Sequence, residues 1–162
     1  LVQLGSRSPG GSGDNILVAA DRLRVFVEDF KVELKGWNPV EAEALGKALA
    51  SDVQVAVARN PGYLPMTFEN LSSQLRKEKR AEQLACMADG QDRQACISKI
   101  LDNYGCEERL YGTVFQVGQK VQVTLTRFRN EQMVPGGAAN AYAKVEPSSI
   151  VDTAKRLALQ LF

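Results

Sequence analysis

Residues 110–129 read Leu110-Tyr-Gly-Thr-Val-Phe-Gln-Val-Gly-Gln-Lys-Val-Gln-Val-Thr-Leu-Thr-Arg-Phe-Arg129. Val121, Val123 and Leu125 alternate with Gln122, Thr124 and Thr126, the period of a strand with one face packed and the other exposed. Val117-Gly118-Gln119-Lys120 supplies the turn, so Leu110–Val117 and Lys120–Arg129 form a hairpin. Downstream, Pro135-Gly136-Gly137 closes a looser loop and Asn140–Val145 is a further strand. This part of the sheet is therefore an antiparallel meander. Pro147-Ser148-Ser149 then opens a last helix, with Ile150, Val151, Ala154, Leu157, Ala158 and Leu161 on one face and Asp152 near its positive end.

Upstream of the hairpin the apolar spacing turns helical. Asp92 is placed to cap a helix carrying Cys96, Ile97, Ile100, Leu101 and Tyr104, with Gly105 as its left-handed stop. Residues 69–86 read as one helix with Leu71, Leu75 and Leu84 apolar. Tyr63–Phe68 is a short strand, and Pro65 inside it points to an edge or a bulge. Before it, Asn38-Pro39 with Glu41 makes a capped helix start. Leu45, Ala48, Leu49, Val53, Ala56 and Val57 form its buried stripe, and Asn60-Pro61-Gly62 stops it. Residues 23–34 are the first strand, with Leu23, Val25 and Val27 on one side.

The order β-α-β-α-α-β-β-β-α predicts an α/β (α+β) fold, a single mixed sheet with helices packed on it. No internal repeat and no second core are visible. Residues 1–15 include the Gly/Ser-rich stretch 5–14 and read as a flexible lead-in; residues 16–162 read as one domain. The chain opens on Leu1, so the sequence leaves open a signal peptide or a lipid-anchored Cys upstream.

The 162 residues are 44% apolar and 24% charged, an ordinary globular balance. Lys and Arg total 20 against 19 Asp and Glu, a net charge of +1 that disfavours a dedicated nucleic-acid binder. The absence of His removes Ser-His-Asp and Cys-His catalysis and His-ligated zinc. Glu28-Asp29 and Glu107-Glu108 are adjacent on strand-like segments, so each pair points to opposite faces and neither suits a carboxylate dyad. Phosphate loops and nucleophile elbows are missing. Phe26, Phe30, Tyr111 and Phe115 lack the interleaved Lys and Arg of a nucleic-acid platform and read as core. No cofactor, metal site or catalytic residue is expected.

Of three cysteines, Cys86 and Cys96 flank the polar segment Met87–Gln94. A disulfide pinching that loop, with a contribution of roughly 3 kcal/mol, and a pair of reduced buried thiols both fit. Cys106 lacks a partner and reads as a small buried hydrophobe. The charged run Arg76-Lys77-Glu78-Lys79-Arg80 lies on a solvent face.

Several strings now point to a family. Leu23-Arg-Val-Phe-Val-Glu-Asp-Phe30, the helix Val40–Val57, Tyr63–Leu75, the Cys86-Asp89-Asp92-Cys96 segment, Tyr104-Gly-Cys-Glu-Glu-Arg-Leu-Tyr-Gly112, Gly112–Gly118 and the closing Leu157–Phe162 occur in matching order. Together they resemble the bacterial envelope family that includes the N-terminal domain of TolB, the periplasmic domain of the curli secretion lipoprotein CsgG and the penicillin-binding-protein activator LpoB. The resemblance covers residues 23–162. Cys106 and Glu107 stand where the family has Ala and Asp, and Met133-Val-Pro-Gly-Gly137 replaces its usual connection. Neither a TolB propeller nor the long hairpins of a CsgG pore are present, so those roles do not carry over.

The resemblance implies an anticodon-binding-domain-like, TolB-N-terminal-like fold. It also implies a non-enzymatic, periplasmic or outer-membrane-associated domain, with a possible lipid tether upstream, whose partners are other envelope proteins and not nucleic acid. Because that compartment is oxidising, it implies the Cys86–Cys96 disulfide. Candidate partner-binding surfaces are Trp37 with its loop, the cluster Arg76, Lys77, Lys79 and Arg80, and the 130–139 loop. The competing readings are a small-ligand or glycan site in a cleft beside Trp37 and Tyr63, an enzyme using Glu28 or Asp29, and an RNA binder.

Overall fold

A computed structural model describes residues 22–88 and 92–162. The 1–15 lead-in and residues 89–91 of the inter-cysteine segment lie outside them. The described residues form β1 (Leu23–Val27), β2 (Lys31–Glu33), α1 (Pro39–Ala58), β3 (Tyr63–Thr67), α2 (Phe68–Lys77), α3 (Ala81–Ala88), α4 (Arg93–Asn103), β4 (Glu108–Val117), β5 (Lys120–Arg129), β6 (Gln132–Lys144) and α5 (Pro147–Leu161). The strands make one mixed sheet in the order β3-β1-β4-β5-β6, with β2 also alongside β4. Strands β3, β1 and β4 are parallel, and β4, β5 and β6 antiparallel. The mixed sheet with packed helices is the fold class that the element order implied.

The first strand is broken where one continuous run was expected. Val25 faces Glu108 and Lys31 faces Thr113, so the offset to β4 slips by one residue between β1 and β2. Phe30 sits in that break, buried on α1 and β4. Two glycines admit it: a Cβ on Gly46 would meet the Phe30 carbonyl oxygen at 2.3 Å, and one on Gly112 would meet its ring at 2.4 Å. Helix α1 begins with the expected capping box, Asn38 Oδ1 accepting from Glu41 N at 2.8 Å and Glu41 Oε1 from Asn38 N at 3.4 Å.

Residues 69–86 are two helices, not one. Lys79 at φ 56 reverses the chain between α2 and α3. Thr67 and Asn70 cap α2 reciprocally. Asp92 stands before α4 but makes no side-chain cap bond. Cys86 lies on α3 and Cys96 on α4, and a disulfide joins them at a Cα separation of 6.1 Å. Met87, expected in a loop, is a buried residue of α3.

The 130–139 segment is not a loop. Asn130 and Glu131, both at positive φ, form a two-residue turn of the I′ kind, and β6 runs directly from it. Residues 134–137 bulge opposite the single residue Arg127.

Two apolar clusters form on opposite faces of the sheet. Helices α1 and α5 cover Val25, Val27, Leu110, Val114, Val121, Val123 and Leu125. Helices α2–α4 cover Phe26 with Leu71, Leu75, Ile97 and Leu101. The expectation of one core fails because β1 buries both faces, as a parallel central strand does. Helices α2–α4 end over β1 and β3, and the outer face of β4–β6 has no helix packed across it among the described residues.

Candidate functional site

Strand alternation decides what the open face carries. In β4 and β5 the positions Arg109, Tyr111, Thr113, Thr124, Thr126 and Phe128 point outward. Where α4 flanks this face, a cleft of about 870 Å³ opens. Leu101, Cys106, Tyr111 and Phe128 form its apolar floor, and Asp102, Glu107 and Glu131 stand at its rim. The Tyr111 and Phe128 rings meet edge to face at a centroid distance of 5.3 Å.

Arg109 closes the upper end. It pairs with Glu28 and donates to Ser98 Oγ at 2.9 Å and Gln94 Oε1 at 3.2 Å. Its guanidinium also lies 5.6 Å from the Tyr111 ring centroid. These bonds fix the cation in place. Burial, with Glu28 next to it, raises the Tyr111 hydroxyl above its ordinary pKa. Cys106 is buried, as its apolar setting required, and its thiol is pushed up to about 11 by desolvation. It is a poor nucleophile at neutral pH. The cleft thus offers an aromatic surface, a fixed cation and an acidic rim.

The sequence candidates are placed elsewhere. Trp37 is half-buried against the first core at the start of α1, in a shallow groove with Val32, Pro39 and Phe115. Arg76, Lys77, Lys79 and Arg80 are exposed at the far end of α2, so they do not form one site with Trp37. Tyr63 packs against Phe162 at 4.9 Å and under Arg127 at 5.3 Å. Among the described residues it stands apart from Trp37, because β3 begins at the end of the sheet opposite the α1 start. Glu28 and Asp29 do point apart: Glu28 holds Arg109, whereas Asp29 lies among Lys47, Arg93, Glu43 and Glu69. Phe26 and Phe30 sit in different clusters, while Tyr111 is surface-exposed and not core.

Sequence reasoning also missed a buried ionic centre. Glu108, fully buried, accepts from Arg127 Nε at 2.8 Å, Arg127 Nη2 at 3.1 Å and Arg129 Nη2 at 3.0 Å. Arg127 further donates to Leu161 O at 2.6 Å and Tyr63 Oη at 3.1 Å. Burial alone would lower the Arg127 pKa, but the bonds to Glu108 and Tyr63 outweigh it and the net shift is upward. This centre ties β3, β4 and β5 to the end of α5.

Several solved structures are similar to the chain. A PelC dodecamer from Paraburkholderia phytofirmans matches at 12% identity and a TM-score of 0.48, over 87% of this chain and 85% of that one. The LpoB C-terminal domain from Escherichia coli matches at 13% identity and a TM-score of 0.48, over 80% and 93%. Lipoprotein GNA1162 from Neisseria meningitidis matches at 15% identity and 0.44, over 75% and 79%. No family model and no curated protein matches.

Proposed function

We propose that this chain is a non-enzymatic protein-interaction module of a bacterial cell-envelope assembly, secretion or motility complex, working in the periplasm or at the outer membrane. The observation that carries the reading is the uncovered outer face of β4–β6, with its aromatic-floored cleft beside α4. An exposed apolar surface rimmed by polar groups is the usual form of a contact site. Tyr111 is 38% exposed and Tyr142 57% exposed on this face, residue types enriched where partners bind. The helix-to-helix bridge of Cys86 and Cys96, with Cys86 on the surface, fits an oxidising compartment.

The test is in-cell cross-linking of the tagged protein and identification of what is captured. Recovery of a defined envelope partner, lost in Tyr111→Ala with Phe128→Ala and retained in Trp37→Ala, supports the reading. Recovery that is unchanged by the paired substitution removes the cleft as the site.

A second reading has its own support. The right-angled Tyr111–Phe128 pair and the fixed Arg109 also suit a small polar ligand or a glycan. Saturable binding of a glycan to the purified domain, lost in Phe128→Ala, would favour it.

A further inference from the structure

We propose that two copies of this chain meet base to base across a two-fold axis, with the basic corner of each seated against the acidic rim of the other. The base is the end where α2 and α4 stop, β4 starts and the β5–β6 turn lies. Two patches of opposite sign share it. Arg76, Lys77 and Lys79 are exposed, and no ion-pair partner reaches them among the described residues. Asp102, Glu107 and Glu131, on the cleft rim, are likewise exposed and unpaired there.

The patches are neighbours. Glu78, next to the basic corner, accepts from Tyr104 Oη at 3.0 Å, and Tyr104 immediately precedes the cleft residues Gly105 and Cys106. Glu78 itself is committed to Gln74, Tyr104 and Arg80 and forms the seam between them. A base divided in this way is self-complementary. A two-fold axis lying in its plane along the seam puts each copy's basic half over the other's acidic half, and the contact closes at two copies.

Two local rules are broken at this end. Asp102 lies in the last turn of α4, where the helix dipole disfavours an acid, and no basic residue accompanies it. Lys79 adopts φ 56 at the α2 stop, with Arg80 N bonded to Leu75 O at 2.9 Å, in a place that favours glycine. Both residues keep a charge on the surface where the isolated chain gains nothing from it, and both charges face an opposite charge in the pair.

The inference does not rest on the envelope reading, and its test uses only the purified full chain. Sedimentation equilibrium is run across concentration at low and raised salt, with the thermal melt of every variant compared to confirm folding. The expected mass is about twice 17.7 kDa at low salt. Dissociation should be about tenfold easier at raised salt, because exposed charges are screened. Glu107→Lys with Glu131→Lys, and separately Arg76→Glu with Lys79→Glu, should each give monomers. An equimolar mixture of the two variants should restore a dimer, since it pairs a predominantly basic base with a predominantly acidic one. A wild-type monomer throughout overturns the proposal. So does a dimer that survives either reversal, which would place the contact at another surface such as the β6 edge. Failure of the mixture to reassociate overturns it as well.

Discussion

Glu108→Ala removes the acceptor from the centre of the buried ionic cluster. Arg127, itself buried, then keeps two neutral partners among the described residues, Leu161 O at 2.6 Å and Tyr63 Oη at 3.1 Å. A buried guanidinium stripped of its counter-charge costs about 3–5 kcal/mol. Domains of this kind hold only about 5–15 kcal/mol in total, so the loss is a large share. At roughly 2–4 °C per kcal/mol for a chain of this size, the melting temperature should fall by about 6–20 °C. Glu108→Gln keeps an acceptor for one of the three bonds and should cost less, about 2 kcal/mol. Glu108→Leu combined with Arg127→Met removes both charges and fills the space with apolar atoms, and should be more stable than Glu108→Ala. Urea unfolding followed by circular dichroism measures all three. A cost below about 1 kcal/mol for Glu108→Ala, or a double variant as unstable as the sum of its singles, would refute the reasoning.

Three further outcomes follow from named contacts. Gly112→Ala drives a Cβ to 2.4 Å from the buried Phe30 ring and should cost about 1–3 kcal/mol in urea unfolding, whereas Gly118→Ala, whose Cβ meets nothing, should cost only what its positive φ imposes. Alkylation of the denatured, unreduced chain should block one thiol, Cys106. In the native fold at pH 8 that thiol should react roughly 100-fold more slowly than a free one, since its pKa is raised from 9.0 to about 11; three blocked thiols would show that Cys86 and Cys96 are unbridged. Burial raises the Asp29 carboxyl above 3.8, so the folded state holds its proton more tightly than the unfolded chain does. The charged form therefore weakens the fold at neutral pH, and that loss is relieved as pH falls through the folded pKa towards 3.8. Asp29→Asn should accordingly raise the urea midpoint at pH 7, with a gain that fades on acidification; a pH-independent difference would count against the assignment.

The hairpin and the helix stripes were legible because each depends on a single period. Val121, Val123 and Leu125 alternate, and Leu45, Leu49 and Val53 step by four, so local residues alone specify the buried face. The α1 start was legible because Asn38, Pro39 and Glu41 each act on backbone groups within one turn. The failures share the opposite property. The second cluster forms because α2–α4 fold back over Phe26, and nothing in Leu23–Val27 separates a strand covered on one face from one covered on both. The β5–β6 turn was missed because Asn130-Glu131 lacks the glycine that usually marks two positive φ values, so Pro135-Gly136-Gly137 drew the boundary too late.

The ionic centre and the cleft were written in the same alternation that revealed the hairpin. The inward series Val121, Val123, Leu125 continues to Arg127, and the series Val114, Gly112, Leu110 continues back to Glu108. Opposite charges at core parity on paired strands cannot stay unpaired in a packed interior, so the parity by itself required them to meet. The complementary series works in the other direction. Counting outward from the same register sends Tyr111 and Phe128 to solvent, where a lone hydrophobe needs no explanation but an aromatic pair beside a helix builds a surface. What parity could not supply was the helix: α4 flanks this face only because the chain crosses β1 to reach β4, and that crossing makes an open sheet face into a cleft.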